Sequence, residues 1–257
     1  MSLFYPNHSL PPGPSMPQPR RALYGSLECI VVDGGETPTI PVILCHGYGA
    51  PGTDLVGLAF EWISLLGDDA GAFRFVFPAA PLSLAEMGMP GARAWWPINM
   101  AQLADAIQAS RFRDMHDHEP DGITAAREAL CQAVREIKAE LGSDANPFVL
   151  GGFSQGAMLT LDASLRGLPE SPALLLLYSG TVICKPLWDA TLGRLGDTHV
   201  YQAHGTLDPI LPFESAEELS RMLIKAGIDA EFHSFDGPHT IDTDSIARTA
   251  QLLRDLL

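Results

Sequence analysis

The chain has 257 residues, 46% of them hydrophobic and 18% charged, which is enough apolar material for one core and rules out wholesale disorder. Acids outnumber bases 31 to 16, giving a formal net charge of -15, and this excludes nucleic acid as a partner, because binding a phosphate backbone takes surplus Lys and Arg. No apolar run approaches the roughly 20 residues that span a bilayer, and the first residues lack the apolar stretch of a secretory signal, so we expect no stable membrane insertion and a cytoplasmic location.

Residues 1–21 carry Pro6, Pro11, Pro12, Pro14, Pro17 and Pro19. These withhold backbone donors and disfavour helix, so we assign 1–21 to an extended arm and 22–257 to a single domain. Strands are expected at Leu27–Val32 and Val42–Cys45. The second runs into His46-Gly47-Tyr48-Gly49, a tight turn with either a merely structural histidine or, at the amide of Tyr48, a donor for an oxyanion. Its place after a core strand favours the second alternative. A helix at Thr53–Leu66 and a strand at Phe73–Phe77 follow. Residues 78–122 are irregular, and a long irregular stretch inside a compact domain is usually a functional loop. Within it, Asp114-Met115-His116-Asp117-His118-Glu119 offers metal-ligating side chains, although a solvated acidic loop explains the string more simply. Ala126, Leu130, Val134, Ile137 and Leu141 then recur at helical spacing, with Asp121 as expected N-cap and Gly142 as stop.

The most informative string is FVLGGFSQGA at 148–157, where a strand runs through Gly152-Phe153-Ser154-Gln155-Gly156 into a helix expected at Gln155–Arg166. Three fixed positions recur by chance in on the order of one chain in ten of this length, so the setting, not the bare motif, carries the weight. A sharp strand-to-helix turn exposes the serine and needs small neighbours. It also puts Ser154 at a helix N-terminus, where unpaired amides such as that of Gln155 favour developing negative charge. Strands are expected at Leu174–Tyr178, His199–Ala203 and Glu231–Phe235, with helices at Phe213–Ala226 and Ile241–Leu256. The strand at 199–203 runs into HGTLDP and that at 231–235 into DGPHT, which puts Asp208 and His239 on successive loops in the order serine, acid, histidine. His239 would take the serine proton while Asp208 fixes its tautomer. His204 and His233 read as packed structural histidines, Asp236 lies off the place an acid needs, and Asp242 and Asp244 read as first-turn helix acids. Cys29, Cys45, Cys131 and Cys184 form no C-x-x-C pair and read as reduced core thiols. The whole pattern is α/β, a mostly parallel central sheet with helices on both faces in the α/β-hydrolase arrangement.

At these residues the chain resembles the phospholipase/carboxylesterase family, which includes acyl-protein thioesterases and small bacterial carboxylesterases. HGYGA at 46–50, GGFSQGA at 151–157, HGTLDP at 204–209 and FDGPH at 235–239 are similar to its ordered motifs, as is GITAAREAL at 122–130, and the resemblance covers about 24–257. It departs at Ala50, where the family usually has Asp, and at Trp96-Pro97 within ARAWWPINM, where the family has Phe-Asp. Both departures leave Ser154, Asp208 and His239 intact and bear on substrate preference. The resemblance implies an acyl groove beside Trp95, to which Met87 and Met89 would add flexible apolar surface. It implies a small-molecule ester or thioester as substrate, and the chemistry calls for no cofactor and no metal. The alternatives are a binding protein that kept the fold without catalysis, and a peptide or lactone hydrolase. Oligomeric state is left open, with a homodimer among the options.

Overall fold

Strands buried on both faces need continuous apolar runs, not alternation, and the strand segments of this chain are of that kind. The computed structural model describes residues 17–109, 111–142 and 147–257, so the arm as far as residue 16 lies outside the described residues. In chain order the elements are β1 (Arg20–Tyr24), β2 (Leu27–Asp33), β3 (Ile40–Cys45), α1 (Val56–Leu66), β4 (Phe73–Pro78), β5 (Leu82–Ser83), β6 (Arg93–Ala94), α2 (Met100–Gln108), α3 (Ile123–Glu140), β7 (Val149–Phe153), α4 (Gln155–Arg166), β8 (Leu174–Tyr178), α5 (Lys185–Asp189), β9 (His199–Gly205), α6 (Phe213–Lys225), β10 (Ala230–Phe235) and α7 (Thr243–Arg254). Eight strands form one sheet in the order β1-β2-β4-β3-β7-β8-β9-β10, and β5 pairs with β6 apart from it. β2 runs antiparallel to both its neighbours, while every pair from β4 through β10 is parallel.

Successive side chains of each central strand feed two cores. Ile43 and Cys45 of β3 and Leu175 and Leu177 of β8 pack with residues of α3, α4 and α6. Val42 and Leu44, and Leu174, Leu176 and Tyr178, pack with α1 and α7. The indole of Trp62 ties those two helices together by donating to the Ile246 carbonyl at 3.1 Å. The expected α/β arrangement is thus present. All four cysteines are free and buried, and no described helix is long and apolar enough to cross a membrane.

The structure departs from expectation in three places. β1 pairs Arg20 with Val31 and Arg21 with Ile30, so two residues given to the arm belong to the sheet. Their charge is tolerated because β1 is an edge strand with its outer side in water. The N-cap of α3 is Gly122, at φ +93° and without a side-chain cap, not Asp121. The irregular stretch contains α2, capped by Asn99, whose side chain accepts from the Gln102 amide at 3.1 Å. Met100, Leu103 and Ile107 recur at helical spacing there, but the run is short and only Leu103 is buried, so it does not stand out from the irregular residues around it. Because β3, β7, β8, β9 and β10 are parallel, the loops that follow them gather at one edge of the sheet, where ligands of open α/β sheets bind.

Candidate active site

The turn from β7 into α4 leaves Ser154 at φ +55° and ψ -118°, a conformation that costs a residue with a side chain free energy and persists only where its surroundings impose it. Here they do. A Cβ on Gly156 would stand 2.0 Å from the Cys45 carbonyl oxygen, and one on Gly152 would stand 2.5 Å from the Gly156 carbonyl carbon. The close approach of β3 therefore demands glycine at both positions and leaves the serine no other path. The Ser154 amide donates to the Tyr178 carbonyl at 2.8 Å. Its hydroxyl does not cap α4 and forms no hydrogen bond among the described residues.

The turn after β3 lies against this elbow: a Cβ on Gly47 would be 3.3 Å from that of Ser154. Neither the Tyr48 nor the Gln155 amide donates to another group among the described residues, which leaves two N–H groups uncommitted beside the serine. The turn is held from beneath by His46, which is 2% exposed. Its Nδ1 donates to the Gly47 carbonyl at 2.8 Å and its Nε2 accepts the Ala80 amide at 3.0 Å. Burial lowers its pKa against the weaker upward pull of the Gly47 carbonyl. The turn thus has a buried structural histidine and, at Tyr48, an amide without an acceptor among the described residues.

Asp208 and His239 meet across the loops after β9 and β10. His239 Nδ1 lies 2.5 Å from Asp208 Oδ2, and the His239 ring packs on that of Phe153, centroids 4.7 Å apart. The other carboxylate oxygen of Asp208 accepts the amides of Ile210 at 2.8 Å and Leu211 at 2.9 Å. Burial alone would raise this carboxyl's pKa, but hydrogen bonds from His204, His239 and the Leu211 amide outweigh it and hold the group well below the usual carboxylate range.

The residues expected to bind substrate do not line the cavity beside the elbow. Trp95 is 1% exposed, its indole donating to the His46 carbonyl at 2.9 Å. Met87 is 63% exposed on a surface turn, and Met89 packs with Leu84, Ala92, Ala94 and Tyr48. The cavity, about 470 Å³, is walled instead by Trp96, Phe112, Met158, Val182 and Leu211 among others. It adjoins the site because the Met158 amide bonds the Ser154 carbonyl at 3.2 Å and Leu211 bonds Asp208. Met158 stands one helical turn beyond the serine and Leu211 three residues beyond the acid, so spacing from the motif residues was the signal that could have found them.

The 114–119 string does not gather into a ligand set among the described residues: His116 turns inward to the Ser215 hydroxyl at 3.0 Å, and Asp114 and Asp117 are exposed. The described cluster with ligand spacing is His233, Asp242 and Asp244. There His233 Nε2 is already bound to Asp242 Oδ2 at 3.0 Å, and Asp242 is the N-cap of α7, accepting the Ser245 amide at 3.2 Å.

A family model described as Phospholipase/Carboxylesterase matches residues 28–257. The chain is similar to the acyl-protein thioesterase 1 of Debaryomyces hansenii, 26% identical over 229 residues that cover 84% of this chain and 90% of that protein. It is 27% identical to that of Emericella nidulans over 216 residues, 80% of this chain and 84% of the other. Among solved structures, esterase PE8 superposes with a TM-score of 0.72 at 26% identity, covering 94% of this chain and 100% of its own. A carboxylesterase from Mesorhizobium loti shares the fold, with a TM-score of 0.70 at 17% identity over 92% of this chain and 98% of that one.

Proposed function

The chain belongs to the phospholipase/carboxylesterase family of hydrolases, and from that premise we propose that it is a serine esterase acting on carboxylic esters or thioesters through an acyl-enzyme on Ser154. In this reading the serine oxygen attacks the carbonyl carbon while His239 Nε2 takes the hydroxyl proton. The resulting oxyanion accepts hydrogen bonds from the Tyr48 and Gln155 amides. As the tetrahedral intermediate collapses, the bond to the leaving alcohol or thiol breaks and the imidazolium returns its proton to it. Water, deprotonated by the same imidazole, then releases the acid and restores the serine. Asp208 keeps the Nδ1 hydrogen facing itself and Nε2 facing the serine, and stabilises the imidazolium each time it forms.

The observation that carries this reading is the 2.5 Å contact between His239 Nδ1 and Asp208 Oδ2 next to a strained elbow serine. The described hydrogen bonds include none between Ser154 and His239, and in serine hydrolases such bonds commonly tighten only once substrate is bound. The two uncommitted amides and the apolar cavity support acyl transfer, and the names of the fungal relatives support thioesters among the substrates. Four reduced, buried thiols suit a reducing compartment such as the cytoplasm.

Ser154→Ala is expected to abolish turnover of a short-chain aryl ester and labelling by a fluorophosphonate. Unchanged turnover in the variant would reject the assignment. A wild-type chain that neither labels nor turns over would leave the fold a binding protein.

A further inference from the structure

We propose that His204 is a positioning residue of this site: a second imidazole that divides the Asp208 carboxylate with His239 and so sets how strongly the acid holds the base. The proposal rests on the reading of Asp208 and His239 given above.

His204 stands near the end of β9, four residues before Asp208, and both side chains are fully buried. Its Nε2 lies 2.9 Å from the Leu211 carbonyl oxygen and 3.2 Å from Asp208 Oδ2. Both partners are acceptors only, so Nε2 must carry the ring hydrogen, which is directed to the Leu211 carbonyl and passes alongside Asp208 Oδ2. Nδ1 is buried with no partner among the described residues. Leu211 is consequently held at both ends, its amide on Asp208 Oδ1 and its carbonyl on His204. The ring His204–Leu211–Asp208 thus fixes the carboxylate plane.

Oδ2 is also the oxygen that receives His239 Nδ1. The His204 N–H dipole 3.2 Å away lowers the negative potential that this oxygen presents to His239 Nδ1. His204 therefore reduces the pull of Asp208 on the Nδ1 hydrogen of His239. Among the described residues no other charged side chain forms an ion pair with either ring. Asp208 is the ionised group facing both rings in the described ion pairs. Phe153 over His239 and Phe213 beside His204 are uncharged. On the histidine's own segment Asp236 is exposed, and Asp242 is bound to His233 and the Ser245 amide.

The test compares His204→Leu, which removes the donor, with His204→Gln, whose amide nitrogen falls near the place of Nε2. The titration of His239 is followed by proton NMR in the resting protein, and the acid limb of kcat/KM is followed with an aryl ester. For His204→Leu both midpoints are expected to move up together by about half a pH unit or more, while for His204→Gln they stay at the wild-type position. A folded His204→Leu protein titrating like wild type overturns the proposal and leaves His204 as core packing, and so does an equal shift in both variants. If His204→Leu does not fold, His204→Asn, whose shorter amide withdraws the donor from Oδ2, replaces it with the same expectation. The NMR midpoint needs no turnover, so an inactive chain whose His239 still responds to position 204 would count against the esterase reading and not against this one.

Discussion

Gln155 holds the Trp95–Trp96 dipeptide at both ends: its side-chain oxygen accepts the Trp95 amide at 2.9 Å, and its nitrogen donates to the Trp96 carbonyl at 2.9 Å. The residue after the serine thus leaves its backbone amide without an acceptor among the described residues while its wholly buried side chain holds the segment that walls the cavity. From Gln155 the chain of bonds continues through the Trp95 indole to the His46 carbonyl and from the His46 ring to Ala80. Elbow, turn and cavity wall form one connected unit.

Gln155→Glu keeps the backbone amide and the shape but replaces the donor to the Trp96 carbonyl with an acceptor. Leaving that buried carbonyl facing a carboxylate should cost about 2–3 kcal/mol in urea unfolding. It should also raise KM for a medium-chain aryl ester several-fold, with a smaller effect on kcat, because the wall moves and the reacting groups do not. Wild-type stability and KM in this variant would mean that the Trp95–Trp96 segment is held by other contacts.

The sheet, its direction and the motif residues were legible because each rests on local chemistry: continuous apolar strands, glycines where a Cβ would strike β3, and loops in the order serine, acid, histidine. Residues 152 and 156 are the clearest case, since the steric demand at Cys45 allows only glycine. What was not legible depends on contacts between segments distant in sequence. Trp95 is expected at the acyl groove through the family resemblance. Only the fold reveals that its indole is spent on His46 and that Trp96 faces the cavity instead. His204 looked like a packed histidine, and it is one. Its nearness to the acid follows from the tight turn after β9, which single-residue patterns do not encode.

Ile183, partly exposed at the cavity wall, is the place to test whether this space receives the acyl chain. Ile183→Trp fills volume without entering the core. Discrimination between an octanoyl and an acetyl aryl ester should fall about tenfold or more in kcat/KM, a loss of about 1.4 kcal/mol or more of selective binding. Acetyl-ester turnover should stay near wild type, because the elbow and its amides are untouched. An unaltered ratio would assign the acyl chain to another surface.

Stability should also fall on mild acidification, and the sign follows from His46. Its ring is neutral and fully committed, donating from Nδ1 and accepting the Ala80 amide at Nε2, so a second ring proton would face an N–H hydrogen. Burial accordingly holds the native pKa below the ordinary value, whereas in the unfolded chain the same ring titrates near 6.5. Between those values the unfolded state binds more protons, so stability is complete above about pH 6.5 and declines as pH falls through it, by up to about 1.4 kcal/mol per pH unit for one histidine. His116, equally buried, has its pKa lowered by burial too, and the two together raise that ceiling to about 2.7 kcal/mol per unit. Asp208 adds a separate loss only at stronger acidity: its native pKa is depressed, so its contribution is present above the unfolded carboxylate value and disappears as pH drops toward the native one. Urea midpoints at pH 7.5, 6 and 5 should therefore fall steadily, and His46→Gln, which cannot titrate, should flatten the slope by about one histidine's share. A midpoint constant from pH 7.5 to 5 in the wild type would mean that His46 accepts its second proton in the native state, with the turn that carries Tyr48 rearranging to receive it.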